Sequence, residues 1–132
     1  MDFYHQIANK YKKLPLKYER KLIRSAKKGN SASKEILLLH LTGFFVFRFY
    51  TSTYLPLIRN SFDDIIQDCL VLALKNIKTY KMRYKNEEGI FQPVHFSTYM
   101  WKGVTGIMVS AIKAKREICF SDLPEYFDSR NN

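Results

Sequence analysis

Apolar residues recur at spacings of three and four along most of the chain, and that period predicts helices. In residues 1–15, Phe3, Ile7 and Tyr11 share one face of a short helix or loosely held arm. Leu14-Pro15-Leu16 breaks the pattern, and Pro15 suits a first helical turn. Leu16 to Lys28 reads as a helix with Leu16, Leu22, Ile23 and Ala26 on its buried side and Gly29 as its stop. Asn30 or Ser31 then caps a helix running to about Thr51. It is apolar almost all round, from Ile36 through Leu41 to Phe45, Phe49 and Tyr50, so it belongs at the centre of a bundle. Thr51-Ser52-Thr53 and Pro56 form a link, with Tyr54, Leu55, Leu57 and Ile58 packed on the core.

The stretch Ser61 to Tyr80 carries the clearest signals. Ser61 with Asp64 three places on matches a capping box. Asp63, Asp64 and Asp68 lie near the positive end of the helix dipole, and Lys75 and Lys78 near the negative end. Ile66, Leu70, Ala73, Leu74 and Ile77 mark a buried stripe. Asp64, Gln67 and Asp68 share a separate polar face at i, i+3 and i+4. Residues 81–95 have no helical period and read as a loop, basic and aromatic in its first half. Ser97 or Thr98 caps a last helix to about Ile118, with Val104, Ile107, Met108, Ala111 and Ile112 turned inward. Lys102, Thr105, Val109, Lys113 and Arg116 lie opposite. Gly103 and Gly106 either weaken this helix or let something approach closely. No trustworthy strand alternation and no internal repeat is seen. The expected fold is all-α, a compact helical bundle over residues 16–120, with an acidic-aromatic tail at 121–132.

Composition sharpens this picture. A chain of 132 residues suits one domain, and 46% hydrophobic residues suffice for a core. The formal charge of +10 points to a polyanionic partner. Cys69 and Cys119 lack the spacing of a zinc site or disulfide scaffold. The N-terminus has no apolar h-region, and the run Ile36 to Tyr50 is too short and polar to span a bilayer. These features lead to the expectation of a soluble cytoplasmic protein. Paired carboxylates in a cleft, a nucleophile with a histidine, a phosphate loop and metal-ligand spacing are all missing, so neither catalysis nor a cofactor is expected.

Three motifs in order resemble region 1.2 through region 2 of the bacterial sigma-70 family of transcription initiation factors. They are Leu22 to Ala32 with its Gly29-Asn30 turn, Asp64-Ile65-Ile66-Gln67-Asp68, and Phe96-Ser97-Thr98-Tyr99. The second resembles the DLIQE of the family's region 2.2, and the third is the FSTY that opens its melting helix. The resemblance implies that Asp64, Gln67 and Asp68, with Leu70 and Leu74 as apolar neighbours, dock on the clamp coiled coil of the large subunit of core RNA polymerase. It also implies that Tyr99 and Trp101 stack on bases of the promoter's −10 element. Lys102, Thr105, Lys113, Lys115 and Arg116 would then hold the non-template strand, with Lys81, Arg83 and Lys85 of the loop. The family's tandem tryptophans fall on Lys102 and Gly103, and Trp101 stands one place early. The positions that read the duplex edge fall on Gly106, Val109 and Ser110. A region 4 counterpart is missing, as in divergent late sigma factors of tailed phages. The resemblance therefore implies a second protein supplying that function, with Ser121 to Phe127 as a docking peptide. The alternative is a helical DNA-binding or polymerase-binding adaptor that does not initiate transcription. No membrane partner is expected, because the apolar side of the last helix is better used inside the bundle.

Overall fold

Gly29 makes the first corner of the chain. Its φ of +97° lies in the left-handed region that glycine tolerates. Its N–H donates to the Ala26 carbonyl at 2.9 Å, and the Asn30 N–H donates to that of Ser25 at 3.2 Å. These two bonds close one helix in a Schellman motif. Asn30 then opens the next helix, its Oδ1 accepting from the Ser33 N–H at 3.1 Å. Both ends of this turn agree with the sequence signals.

A computed structural model describes residues 2–121, with side chains through residue 115. The elements in order are α1 (Phe3–Lys10), α2 (Leu16–Lys27), α3 (Ser31–Thr51), α4 (Leu55–Ile58) and a 3₁₀ turn at Arg59–Ser61. They continue with α5 (Phe62–Thr79), β1 (Arg83–Lys85), β2 (Phe91–Pro93) and α6 (Phe96–Ser121). The fold is mostly helical. The tail beyond Ser121 lies outside the described residues, and so does the proposed docking peptide.

α3 is central, touching α1, α2, α5 and α6. Leu37, Leu41, Phe45 and Phe49 put its main apolar face into the core. It is not buried all round, since Ile36, Phe47 and Tyr50 face solvent. α6 packs chiefly on α5, while α1 and α2 cover the other side of α3. Ile58, Ile66, Ile77, Phe96, Met100 and Met108 complete the interior.

Of the two alternatives for the N-terminal segment, the short helix is the one that forms, over residues 3–10 and capped by Asp2, whose Oδ1 accepts from the His5 N–H at 3.0 Å. Tyr4, His5, Ile7 and Ala8 are half-buried, Tyr4 and His5 against the Phe62 ring, and of the expected face Phe3 alone is exposed while Ile7 and Tyr11 are partly covered. The capping box at Ser61 does not form. Ser61 has φ −105° and ψ 18° inside a 3₁₀ turn, not the extended backbone that an N-cap requires. The buried stripe of α5 is Phe62, Ile65, Ile66, Cys69, Ala73 and Ile77. Leu70 is only half-buried and Leu74 is exposed, so the stripe is turned from the expected one.

The loop 81–95 holds a short antiparallel hairpin, which an all-α expectation excluded. Tyr84 pairs with Gln92, and Arg83 with Pro93. Strands of three residues are too short for alternation to register. Asn86 organises the turn, its Oδ1 accepting from the Glu88 and Ile90 N–H groups at 2.9 and 3.0 Å. Gly89, with φ +79°, permits the reversal.

Tyr80 joins this hairpin to the core. Its ring is 1% exposed and its hydroxyl donates to the Val94 carbonyl. Burial pushes its pKa from 10.0 to about 12. The folded state holds the phenol proton more tightly than the unfolded one. The stabilisation is therefore complete below pH 10.0 and is lost as pH rises through about 12. Tyr80→Phe is expected to flatten the decline in thermal stability across that alkaline window, as measured by circular dichroism melts.

Among the described residues, no single helix is long and apolar enough to cross a membrane.

Candidate functional site

The polar edge of α5 is open. Asp64, Gln67 and Asp68 are all exposed, spaced i, i+3 and i+4 along one side. None of the three makes a hydrogen bond or ion pair among the described residues, so Asp64 does not serve as a cap. Asp64 and Asp68 line a groove between α5 and α6, with Lys75, Gly103, Gly106 and Ser110 on its other parts. Leu70, half-buried, and Leu74, 40% exposed, continue the same edge one and two turns on. Val71, which belongs to neither the predicted stripe nor the polar face, is exposed beside them.

Gly103 settles one of the alternatives posed by the glycines of α6. A Cβ there would stand 2.6 Å from Leu72 Cδ2, so its small size admits the α5 side chain. Gly106 has nothing within 4 Å and faces the open groove.

The start of α6 is held from another helix. Glu19 of α2 is buried, and its Oε1 accepts from the Phe96 N–H at 2.7 Å. Its Oε2 accepts from His95 Nδ1 at 2.7 Å. The first orphan amide of α6 thus meets a carboxylate from 77 positions away. Ser97 and Thr98, expected as caps, lie already inside the helix. Glu19 sits on the buried side of a basic helix, and no local signal identifies its partner.

Tyr99 and Trp101 do not form one surface. They are two residues apart and leave α6 on opposite flanks. Tyr99 stacks on Tyr84 with ring centroids 5.6 Å apart and an interplanar angle of 24°. Its hydroxyl lies 2.9 Å from Thr79 Oγ1. It therefore fastens the hairpin to the bundle and is not a free ring. Trp101 is 48% exposed. Beneath it lies Arg48 of α3, with its guanidinium carbon 3.8 Å from the ring centroid.

Arg48 was legible only as an isolated charge in an apolar run. It is buried, and burial draws its pKa below the ordinary arginine value. Its Nη2 donates to the Trp101 carbonyl at 3.2 Å and to Thr105 Oγ1. Nε has no partner among the described residues. A buried cation without a carboxylate is costly, and the indole face and two oxygens provide its compensation. Thr105 is thereby committed to α3 and not to the outer face expected for it.

Among the basic residues expected to bind DNA, Lys102 and Lys113 are exposed on the outer side of α6. Lys115 reaches instead to the Leu57 carbonyl at 3.2 Å, which tethers α6 to α4. The side chain of Arg116 is outside the described residues. Lys81, Arg83 and Lys85 are exposed on the hairpin, with Lys85 Nζ 5.2 Å from the Phe91 ring centroid. Among the described residues, no group of three or more His, Cys, Asp or Glu could hold a metal ion.

Comparison with family models, curated proteins and solved structures found no match to this chain.

Proposed function

We propose that this chain is a sigma-like transcription initiation factor, its helical bundle corresponding to region 2 of the sigma-70 family. On this reading it docks on the clamp coiled coil of core RNA polymerase and engages melted −10-type promoter DNA. The observation that carries the reading is the α5 edge. Two carboxylates and an amide stand exposed and without internal partners on a chain of charge +10. Acidic side chains beside an apolar ledge suit a partner helix bearing arginines, because the apolar contact excludes water from the charged pairs. The ledge is Leu70, Val71 and Leu74.

The DNA role is narrower than the motifs alone imply. Trp101 offers an exposed ring backed by a cation, which supports stacking of an unpaired base. Lys102 and Lys113 lie near enough along α6 to hold the backbone of the non-template strand. Tyr99 takes no part in this surface, because its ring is stacked on Tyr84 of the hairpin.

The test is a binding titration with core polymerase. Gln67→Ala with Asp68→Ala is expected to weaken binding more than tenfold while leaving the melting temperature unchanged, because both positions are exposed. Trp101→Ala should leave polymerase binding intact. Within the complex it should lower affinity for fork DNA by about 1–3 kcal/mol and affect closed duplex less. Normal polymerase binding by the double variant removes the docking assignment. Binding without a specific transcript in a reconstituted assay favours the adaptor alternative.

A further inference from the structure

A second basic feature lies apart from α6. A cleft of about 520 Å³ runs between α2 and the β1–β2 hairpin. Lys17, Arg20, Lys21 and Arg24 of α2 line it, facing Arg83 of β1. Leu16 and Pro93 make up the rest, and no acidic residue takes part. None of the five cations is in an ion pair among the described residues. The acid within this run, Glu19, is turned inward to Phe96 and His95. The helix thus sorts its charges, with the acid at the core and the cations outside.

The cleft is held in shape. Arg20 Nη1 donates to the Met82 carbonyl at 3.0 Å, tying the hairpin to α2. Met82 has φ +71°, a conformation that a non-glycine residue adopts only when its surroundings hold it there. The Val94 N–H donates to the same carbonyl at 3.4 Å.

We propose that this cleft holds the phosphodiester backbone of duplex DNA, without regard to sequence. Lys17, Lys21 and Arg24 lie on successive turns of one face. Seven residues of helix advance roughly 10 Å. That is the axial length of about three nucleotides of one DNA strand. No aromatic ring lines the cleft, so it lacks a platform for bases and contacts only phosphate. Duplex DNA presents twice the axial charge density of one strand, which favours it where charge alone attracts. A bilayer fits less well. The apolar side of α2, Ile23 and Ala26, is buried in the bundle, and the single exposed ring of Tyr18 is too little apolar surface for insertion.

The experiment measures binding of the full chain to a short labelled duplex over a series of KCl concentrations. The variant Lys17→Ala/Lys21→Ala/Arg24→Ala removes three exposed cations. The slope of log affinity against log salt is expected to become shallower by nearly three units, about 0.9 for each lost contact. Duplexes of unrelated sequence should show the same change. Arg83→Ala, on the opposite wall, should remove about one unit by itself. The comparison variant Lys10→Ala/Lys12→Ala/Lys13→Ala has the same net charge and lies elsewhere, and its slope should change by less than one unit. Equal loss in both triple variants overturns the proposal, since net charge would then account for the binding. It is equally overturned if the cleft variant loses binding only to single strands. The same holds if it loses binding only to vesicles of phosphatidylcholine and phosphatidylserine. No polymerase is present in this assay, so its outcome is separate from that of the docking titration.

Discussion

Glu19→Ala is expected to cost about 2–4 kcal/mol of folding stability, because hydrogen bonds to a charged group contribute about 1.5–3 kcal/mol each and the two here are coupled. The Phe96 N–H is buried and would be left without an acceptor. Its orphan position at the positive end of a helix adds to the loss. Glu19→Gln keeps an acceptor oxygen and gives up the charge, so it should fall between the two. A urea titration followed by circular dichroism measures both. Trp101 is the only tryptophan of the chain and stands in the second turn of α6. Its fluorescence should report fraying of that end in Glu19→Ala before the global transition. An unchanged urea midpoint would show that the carboxylate does not hold α6.

Phe45→Ala should cost about 3–5 kcal/mol in the same titration, as large-to-small changes at fully buried aromatics do. Phe45 is 1% exposed and lies at the middle of α3, where the surrounding helices cannot collapse to fill a void. Phe47, two positions on and 59% exposed, gives the contrast. Phe47→Ala should stay within about 0.5 kcal/mol of the parent. Leu70→Ala should cost less than Phe45→Ala because Leu70 is half-buried and leaves a smaller cavity. Equal effects at Phe45 and Phe47 would overturn the placement of α3.

The helices were legible because their signals are local. The Schellman turn at Gly29, the Asn30 cap and the three-and-four spacing of Ile66, Ala73 and Ile77 each act within a few residues. The exposed edge Asp64, Gln67 and Asp68 follows from the same periodicity, since residues opposite a buried stripe face solvent. The hairpin is not legible in the sequence because its strands are three residues long, and Asn86 and Gly89 mark a turn without marking the strands beside it.

Contacts between distant residues needed the fold. Tyr99 and Trp101 belong to one motif in the sequence, yet Tyr99 is drawn into a stack with Tyr84, and Trp101 comes to rest on Arg48. Lys115 reads as a free cation and is bonded to the Leu57 carbonyl. The cations of α2 read as an ordinary solvated face until the hairpin closes a cleft over them through Arg20 and Met82. By itself the sequence determined a helical bundle with α3 at its centre and an acidic edge on α5, because periodicity and capping are set by neighbours along the chain. Tertiary structure alone decided which rings stay free, which cations are committed, and that a glutamate of α2 starts α6. Those outcomes depend on partners well separated along the chain, such as Tyr84 for Tyr99, Arg48 for Trp101 and Glu19 for Phe96, and no local pattern encodes the identity of such a partner.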